Sequence, residues 1–331
     1  MSDEKIIACL RDDFRLNITR LVFLPIGADV NTAVYRAIAD DESAYFAKLR
    51  SGIFDETAIT LPKFLTELGI QEIIAPLLTK TAQLFTTVDS FKLILYPFVD
   101  GRNGYETDLA DHHWRELGSA LKRIHSAEIP STVANHIQRE TFSPQWRESV
   151  KKSLGRIETD TFDDPIATDL ADFIKVKRAE ISRLVEHTEQ LAQALIAHSP
   201  HFVLCHSDIH AGNVLIDSND RLCIIDWDNP IFAPKERDLM YAGGAQFGSK
   251  RTPQAEEKLF YEGYGPTEID PIAMAYYRYE RIIDDIAVEC EAIFSTTMND
   301  ADRAQELIYL KSNFLPNNTL AIAYHAEENQ R

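Results

Sequence analysis

Two hydrophobic rhythms divide the chain. Up to about residue 96, short apolar runs alternate with turn formers: Leu21 to Leu24, Ala33 to Ile38, Ala44 to Leu49, Glu72 to Leu78, Gln83 to Val88 and Phe91 to Tyr96. Runs of this length, bounded by polar and glycine-containing segments, predict strands, and together they predict an antiparallel sheet of about five. Helical patterns accompany them. Ile6, Ile7, Leu10 and Phe14 share one helical face, and another helix is expected from about Asp55, with Pro62 kinking or restarting it. Beyond residue 104 the period becomes 3.6. Trp114, Leu117, Leu121 and Ile124 fall on one face, Ile166 to Ile196 is a long stretch rich in Leu, Ala and Glu, and Pro271 to Phe294 directs Ile282, Ile283, Ile286 and Cys290 inward. On that last helix Glu280, Asp284 and Asp285 face outward as an acidic face, for which a merely solvated role and a cation-binding role are both open.

One stretch breaks the helical half. In FVLCHSDIHAGNVLIDSNDRLCIIDWD, Phe202 to Asp228, a short apolar strand delivers His206, Asp208, His210 and Asn213 into a loop. Val214 to Ile216 and Leu222 to Ile225 then flank the turn formers Asp217 to Asp220, so they predict a hairpin. An antiparallel hairpin returns to its origin, which sets Asn213 beside Asp226 at the open end. Two oxygen donors side by side suit a hard cation such as magnesium, which leaves its other positions to water and phosphates. Asp208, five residues before Asn213, is placed to accept or orient the proton of an incoming hydroxyl, as phosphoryl transfer requires. A rival reading takes His206, Asp208 and His210 as transition-metal ligands of a hydrolase, but it leaves Asn213 and Asp226 without a role.

The 331 residues, 45% of them hydrophobic, suffice for two lobes with a real core. A formal charge of −18 argues against nucleic acid and favours cationic partners. The four cysteines, Cys9, Cys205, Cys223 and Cys290, are scattered and read as reduced packing residues. No apolar run approaches membrane-spanning length and no charged leader opens the chain, so the expected address is the cytoplasm, with no membrane partner.

The catalytic-loop Asp, the Asn five residues on, and the second Asp beyond a hairpin resemble the kinase catalytic apparatus. The phrases YPFV, LCHSDIHAGNVL, IIDWD, APKERDLM, FYEGYG and YYRYERI are similar to the aminoglycoside phosphotransferase family, closest to its spectinomycin phosphotransferase branch. The resemblance implies an α+β, two-lobed protein-kinase-like fold: an antiparallel β-sheet lobe over residues 1–96, a hinge at 97–104, and a mostly α-helical lobe at 105–331. It implies ATP with magnesium, and transfer of the γ-phosphoryl group to a hydroxyl of a cationic aminocyclitol such as spectinomycin, hence antibiotic resistance. Kinases of other small metabolites, such as choline or methylthioribose, are the alternative, and a catalytically dead binding module is a more distant one. Carried onto this chain, residues 25–32 are the turn over the phosphates, with Asn31 among its polar side chains and Gly27 its single glycine. Lys48 holds the α and β phosphates and Glu56, or else Glu67, orients it. Pro97 and Val99 meet adenine. Asp208 is catalytic and meets the acceptor hydroxyl, Asn213 and Asp226 hold the metal, and His206 and Asp238 are structural. Asp228, Glu280, Asp284 and Asp285 are the candidates for substrate amines.

Overall fold

The computed structural model describes residues 2–25, 31–52, 54–248, 250–295 and 298–328. In chain order its elements are α1 (Asp3–Phe14), β1 (Ile18–Leu24), β2 (Thr32–Ala39), β3 (Ala44–Arg50), α2 (Thr57–Glu67), β4 (Thr86–Val88), β5 (Phe91–Pro97), β6 (Gly101–Asn103), α3 (Asp111–His125), α4 (Ser131–Ala134) and β7 (Gln138–Arg139). There follow α5 (Gln145–Thr159), α6 (Pro165–His198), β8 (Val203–Cys205), a 3-10 turn (Ala211–Asn213), β9 (Val214–Asp217), β10 (Leu222–Ile224) and β11 (Ile231–Ala233). The chain ends with α7 (Glu236–Leu239), α8 (Pro253–Tyr264), α9 (Pro271–Phe294), α10 (Asp300–Ser312) and α11 (Thr319–Glu328). These pack as two compact units, 1–138 with 206–230, and 139–205 with 231–331.

In the first unit the five-stranded antiparallel sheet has the order β1-β2-β3-β5-β4. Strand alternation sorts β3 by face. Ala47 and Leu49 pack with Leu93, Leu95, Ala37 and the inward face of α1, Ile6 and Leu10. Lys48 and Arg50 therefore emerge on the opposite face. Residues 72–78, expected as a strand, contribute only an isolated parallel bridge from Ile73 to Ile224 and single bonds, among them Leu77 N–H to Leu95 C=O. Pro76 offers no amide, so a continuous ladder cannot form there. Pro62 does not split α2, which runs through it; at the sixth of eleven positions its missing amide removes one interior bond.

The hairpin β9-β10 has the expected register, Ile216 opposite Leu222 and Val214 opposite Ile224, and its turn is fastened by Asp217, whose Oδ1 accepts from the amides of Asn219 and Arg221. β6 adds to the other edge of β9, and the Ile224 amide donates to the Glu72 carbonyl at 2.6 Å. Main-chain bonds thus draw the catalytic stretch into the sheet-bearing unit, which continues past the 97–104 segment.

The second unit is built round α9, which packs against α5, α6, α10 and α11 through Ile282, Ile283, Ile286, Cys290 and Ile293. Asp164 caps α6 and Asp270 caps α9, each followed by a proline at the first helical position, a start signal that needs no amide there. β8 pairs antiparallel with β11. Among the described residues no helix is long and apolar enough to cross a membrane.

The acidic side of α9 is less solvated than its pattern suggests. Glu280, Asp284 and Asp285 are half-buried; Glu280 pairs with the buried Arg147, and Asp285 with Arg281 and Asn313. Glu289, 8% exposed, has one carboxylate oxygen without a hydrogen-bond partner among the described residues. Burial, then the charges of Asp285 and Glu306, push its carboxyl from 4.5 up to about 9. Between those values the folded chain keeps a proton that the unfolded chain has released, so stability falls as pH rises through the window. Glu289→Gln is expected to remove that part of the slope. Urea midpoints at about pH 5 and about pH 8.5 should show the variant gaining on the wild type at the higher pH, whereas an equal difference at both would mean that Glu289 is already ionised in the fold.

Candidate active site

The site residues of the first unit are set by the hairpin's open end. One step beyond the β9-β10 register, the Ile225 amide donates to the Asn213 carbonyl at 3.0 Å, so Asp226 leaves the returning strand directly beside Asn213. Asp226 has φ +63°, which re-aims the chain at that point. Trp227 is buried, with its indole edge-on to His206 at 4.6 Å between centroids. With residue 227 directed inward, Asp226 and Asp228 project together.

The catalytic loop is held by its own polar groups. The buried His206 accepts the Asp208 amide at Nδ1 (3.3 Å), so Nε2 carries the proton and donates to the Ile225 carbonyl at 2.8 Å. Both ring nitrogens serve the loop, consistent with a structural histidine. His210 Nδ1 accepts the Gly212 amide at 3.0 Å, and a Cβ at position 212 would lie 2.7 Å from that ring, which is why glycine stands there. His206, Asp208 and His210 therefore do not converge as metal ligands, and the hydrolase reading loses its geometry.

Asn213, 7% exposed, donates its amide nitrogen to the Asp208 carbonyl at 2.9 Å, with Asp208 Oδ2 at 3.4 Å. That contact fixes the amide orientation and turns the oxygen away from Asp208. Asp208 also lies 3.5 Å from His210 Nε2, and its side chain is 36% exposed. Asp208, Asn213 and Asp226 are thus brought together.

Lys48 reaches the same place from β3. Its ammonium lies 3.2 and 3.0 Å from the two oxygens of Asp228 and 4.0 Å from Asp226 Oδ1. Arg50 Nη1 closes on Asp228 Oδ2 at 3.0 Å. Glu56, expected to orient Lys48, is not its partner among the described residues: it precedes α2 at the N-cap and is exposed. Glu67, at the far end of α2, pairs with Lys63 instead.

The carboxylate pair crowds the centre. The Asp226 carboxyl is raised by lost hydration and then by Asp228, with Lys48 opposing, although its side chain remains 47% exposed. Tyr96 on β5 is pushed up by burial and then by the charges of Asp228 and Asp226. The Asp226 carboxylate beside the Asn213 amide oxygen makes an all-oxygen donor pair, which fits a hard divalent cation.

Of the other expected positions, Pro97 ends β5 and Val99 is half-buried just beyond it, where the Phe98 amide donates to the Ala44 carbonyl at 3.2 Å. The Asn31 carbonyl accepts from the Ser51 amide across the end of β2 and β3, while residues 26–30 of the phosphate turn lie outside the described residues. Glu280, Asp284 and Asp285 belong to the second unit, as does the buried Asp238 in α7. Arg50 was missed by motif reading. Its signal is the i, i+2 spacing from Lys48, which puts both cations on one face of β3.

A sequence profile for the phosphotransferase enzyme family matches residues 22–272. Spectinomycin phosphotransferase APH(9)-Ia, solved in complex with ADP and spectinomycin, is 38% identical, with a TM-score of 0.92 and 99% of each chain covered. The AMP-bound complex of that enzyme gives 36% identity and a TM-score of 0.88 over 98% of each chain. An aminoglycoside phosphotransferase from Alicyclobacillus acidocaldarius subsp. acidocaldarius DSM 446 shares the fold, with a TM-score of 0.63 at 13% identity over 94% of this chain and 92% of that one. The fold is the expected α+β, kinase-like one, with an antiparallel sheet toward the N-terminus and a helical C-terminal part. On the profile match and the full-length likeness together, the chain is a phosphotransferase and belongs to the phosphotransferase enzyme family.

Proposed function

We propose that this enzyme transfers the γ-phosphoryl group of ATP to a hydroxyl of a cationic aminocyclitol, with spectinomycin the first candidate and resistance to it the consequence. The observation that carries the reading is the meeting of Asp208, Asn213, Asp226 and Lys48 at the open end of one hairpin. It is supported by the full-length likeness to an enzyme solved with ADP and spectinomycin. The cytoplasm, where ATP is supplied, is the proposed location.

Asn213 through its amide oxygen and Asp226 through its carboxylate would hold magnesium, which when bound neutralises charge on the phosphates. Lys48 binds α- and β-phosphate oxygens as a compact charge. Pro97 and Val99 offer main-chain groups to adenine, and Asn31 lines the phosphate turn. Asp208 accepts the hydrogen of the acceptor hydroxyl and aligns its oxygen with the γ-phosphorus. As the P–O bond to the β-phosphate breaks and the new one forms, the hydroxyl proton passes to Asp208 Oδ2. In a loose transition state this alignment matters more than the basicity of Asp208. Glu280, Asp284 and Asp285 on α9 are the proposed partners of substrate amines. Glu280 is pushed up to about 7 by burial, against the pull of Arg147.

The test is a screen of purified protein with ATP and magnesium against spectinomycin, other aminoglycosides, choline and methylthioribose. Phosphorylated spectinomycin, seen by mass spectrometry, is the expected product. Turnover of choline or methylthioribose alone would replace the substrate class while keeping the reaction.

Asp208→Ala should lower kcat by about 10² or more with nucleotide binding nearly intact; near wild-type turnover would remove Asp208 from the mechanism. Asp226→Ala should instead weaken nucleotide binding in magnesium, and titrating magnesium at fixed ATP would expose the defect. An unchanged magnesium requirement would contradict the hairpin assignment.

Asp284→Asn and Glu280→Gln should each raise KM for the antibiotic by roughly tenfold, the range of hydrogen bonds to charged groups, and leave KM for ATP alone. Added salt should act in the same direction on the wild type. If neither KM moves in either variant, these carboxylates serve the helix packing of the second unit only.

A further inference from the structure

We infer that Asp228, anchored by Arg50, is the carboxylate that positions Lys48 for the nucleotide. This rests on the phosphotransferase reading of the site and adds to it a positioning pair that no motif assigns. A lysine on a four-carbon stem has many rotamers, and a phosphate-binding lysine needs an anion to hold it in one. In this chain the helix-borne candidate Glu56 is exposed and does not meet Lys48, whereas both oxygens of Asp228 lie within 3.2 Å of the Lys48 ammonium.

The geometry around Asp228 is that of a clamp. Arg50 stands two residues after Lys48 on the same face of β3, and its guanidinium takes Asp228 Oδ2 at 3.0 Å. The side chains of Lys48 and Arg50 are each 18% exposed and that of Asp228 is 27% exposed, so these are shielded contacts rather than surface pairs. Beyond the end of β10 the buried Trp227 anchors the backbone from which Asp228 projects.

Charge counting gives the same division of labour. Lys48 and Arg50 both close on Asp228 at 3.0 Å, while among the described residues the one salt-bridge approach to Asp226 is that of Lys48 at 4.0 Å. Asp228 is then the positioning carboxylate, and Asp226 remains the one with charge to offer a cation. Because Asp228 is turned onto β3, it is withdrawn from the role of meeting substrate amines.

The experiment is a double-mutant cycle on Lys48→Ala and Asp228→Asn. It is read by equilibrium binding of a non-hydrolysable ATP analogue with magnesium and, in parallel, by KM for ATP and for the acceptor. Asp228→Asn alone should weaken nucleotide binding roughly tenfold and leave the acceptor KM in place, and in the Lys48→Ala background it should have almost no further effect, as for residues in contact. Arg50→Gln should reproduce part of the loss and Arg50→Lys should restore most of it, which also covers the case in which Asp228→Asn does not fold. Multiplicative effects of Lys48→Ala and Asp228→Asn, or coupling of Lys48→Ala to Glu56→Gln instead, would overturn the inference. The wider reading is judged separately: wild-type protein that forms no phosphorylated product from any acceptor in the screen would sink phosphoryl transfer itself, whereas an active wild type with multiplicative Asp228 effects would sink only the positioning pair.

Discussion

The main-chain bond from the Ile225 amide to the Asn213 carbonyl is the constraint on which the rest of the site depends. It closes the hairpin one residue past its regular ladder, and so converts a separation of twelve residues in sequence into adjacency. Everything around it keeps that bond in register. β6 supports β9 from one side, the Ile224 amide reaches the Glu72 carbonyl on the other, and His206 Nε2–H donates to the Ile225 carbonyl. The same histidine receives the Asp208 amide, so loop and hairpin share one hydrogen-bonded frame. Backbone bonds of this kind are individually modest, but a slip of one residue would turn every hairpin side chain to the wrong face.

Electrostatics then sorts three carboxylates that topology alone would leave equivalent. Asp208 faces the Asn213 amide and His210, Asp228 faces two cations, and Asp226 faces another carboxylate. The first is oriented, the second neutralised, and the third kept under repulsion. A carboxylate under repulsion is the one whose ionised form gains most from a dication, because a metal relieves the very charge that opposes it. Arginine is suited to holding Asp228, since its planar fork stays charged in a crowded site where a lysine's charge is more easily lost.

How much of this was legible in the sequence follows from the range of each interaction. The hairpin, the loop histidine and the meeting of Asp208, Asn213 and Asp226 are fixed by spacings of a few residues, and turn chemistry announces them. The sheet of five was readable from strand patterning, except at 72–78, where apolar composition mimicked a strand and Pro76 forbade one. The partner of Lys48 was not readable. It depends on how β3 faces the Asp226–Asp228 segment, a tertiary fact that joins residues 180 apart in sequence. The acidic face of α9 was legible only as a polar side for a related reason: periodicity marks that side of a helix but cannot say that Arg147 reaches Glu280 from α5.

The left-handed backbone at Asp226 ties these levels together. A non-glycine residue at φ +63° is disfavoured and persists only where its surroundings over-determine it. Here the strand before it is locked by the hairpin ladder, and Trp227 after it is buried against His206. A regular extended residue at 226 would carry the chain straight on from β10. The left-handed residue turns it there instead. Beyond that turn the indole is buried in the core, and the carboxylates on either side of it lie beside β3, both within 4.0 Å of the Lys48 ammonium and Asp228 also against Arg50. Local strain therefore marks the point at which one short segment leaves the hairpin beside Asn213 and comes up against the lysine of β3.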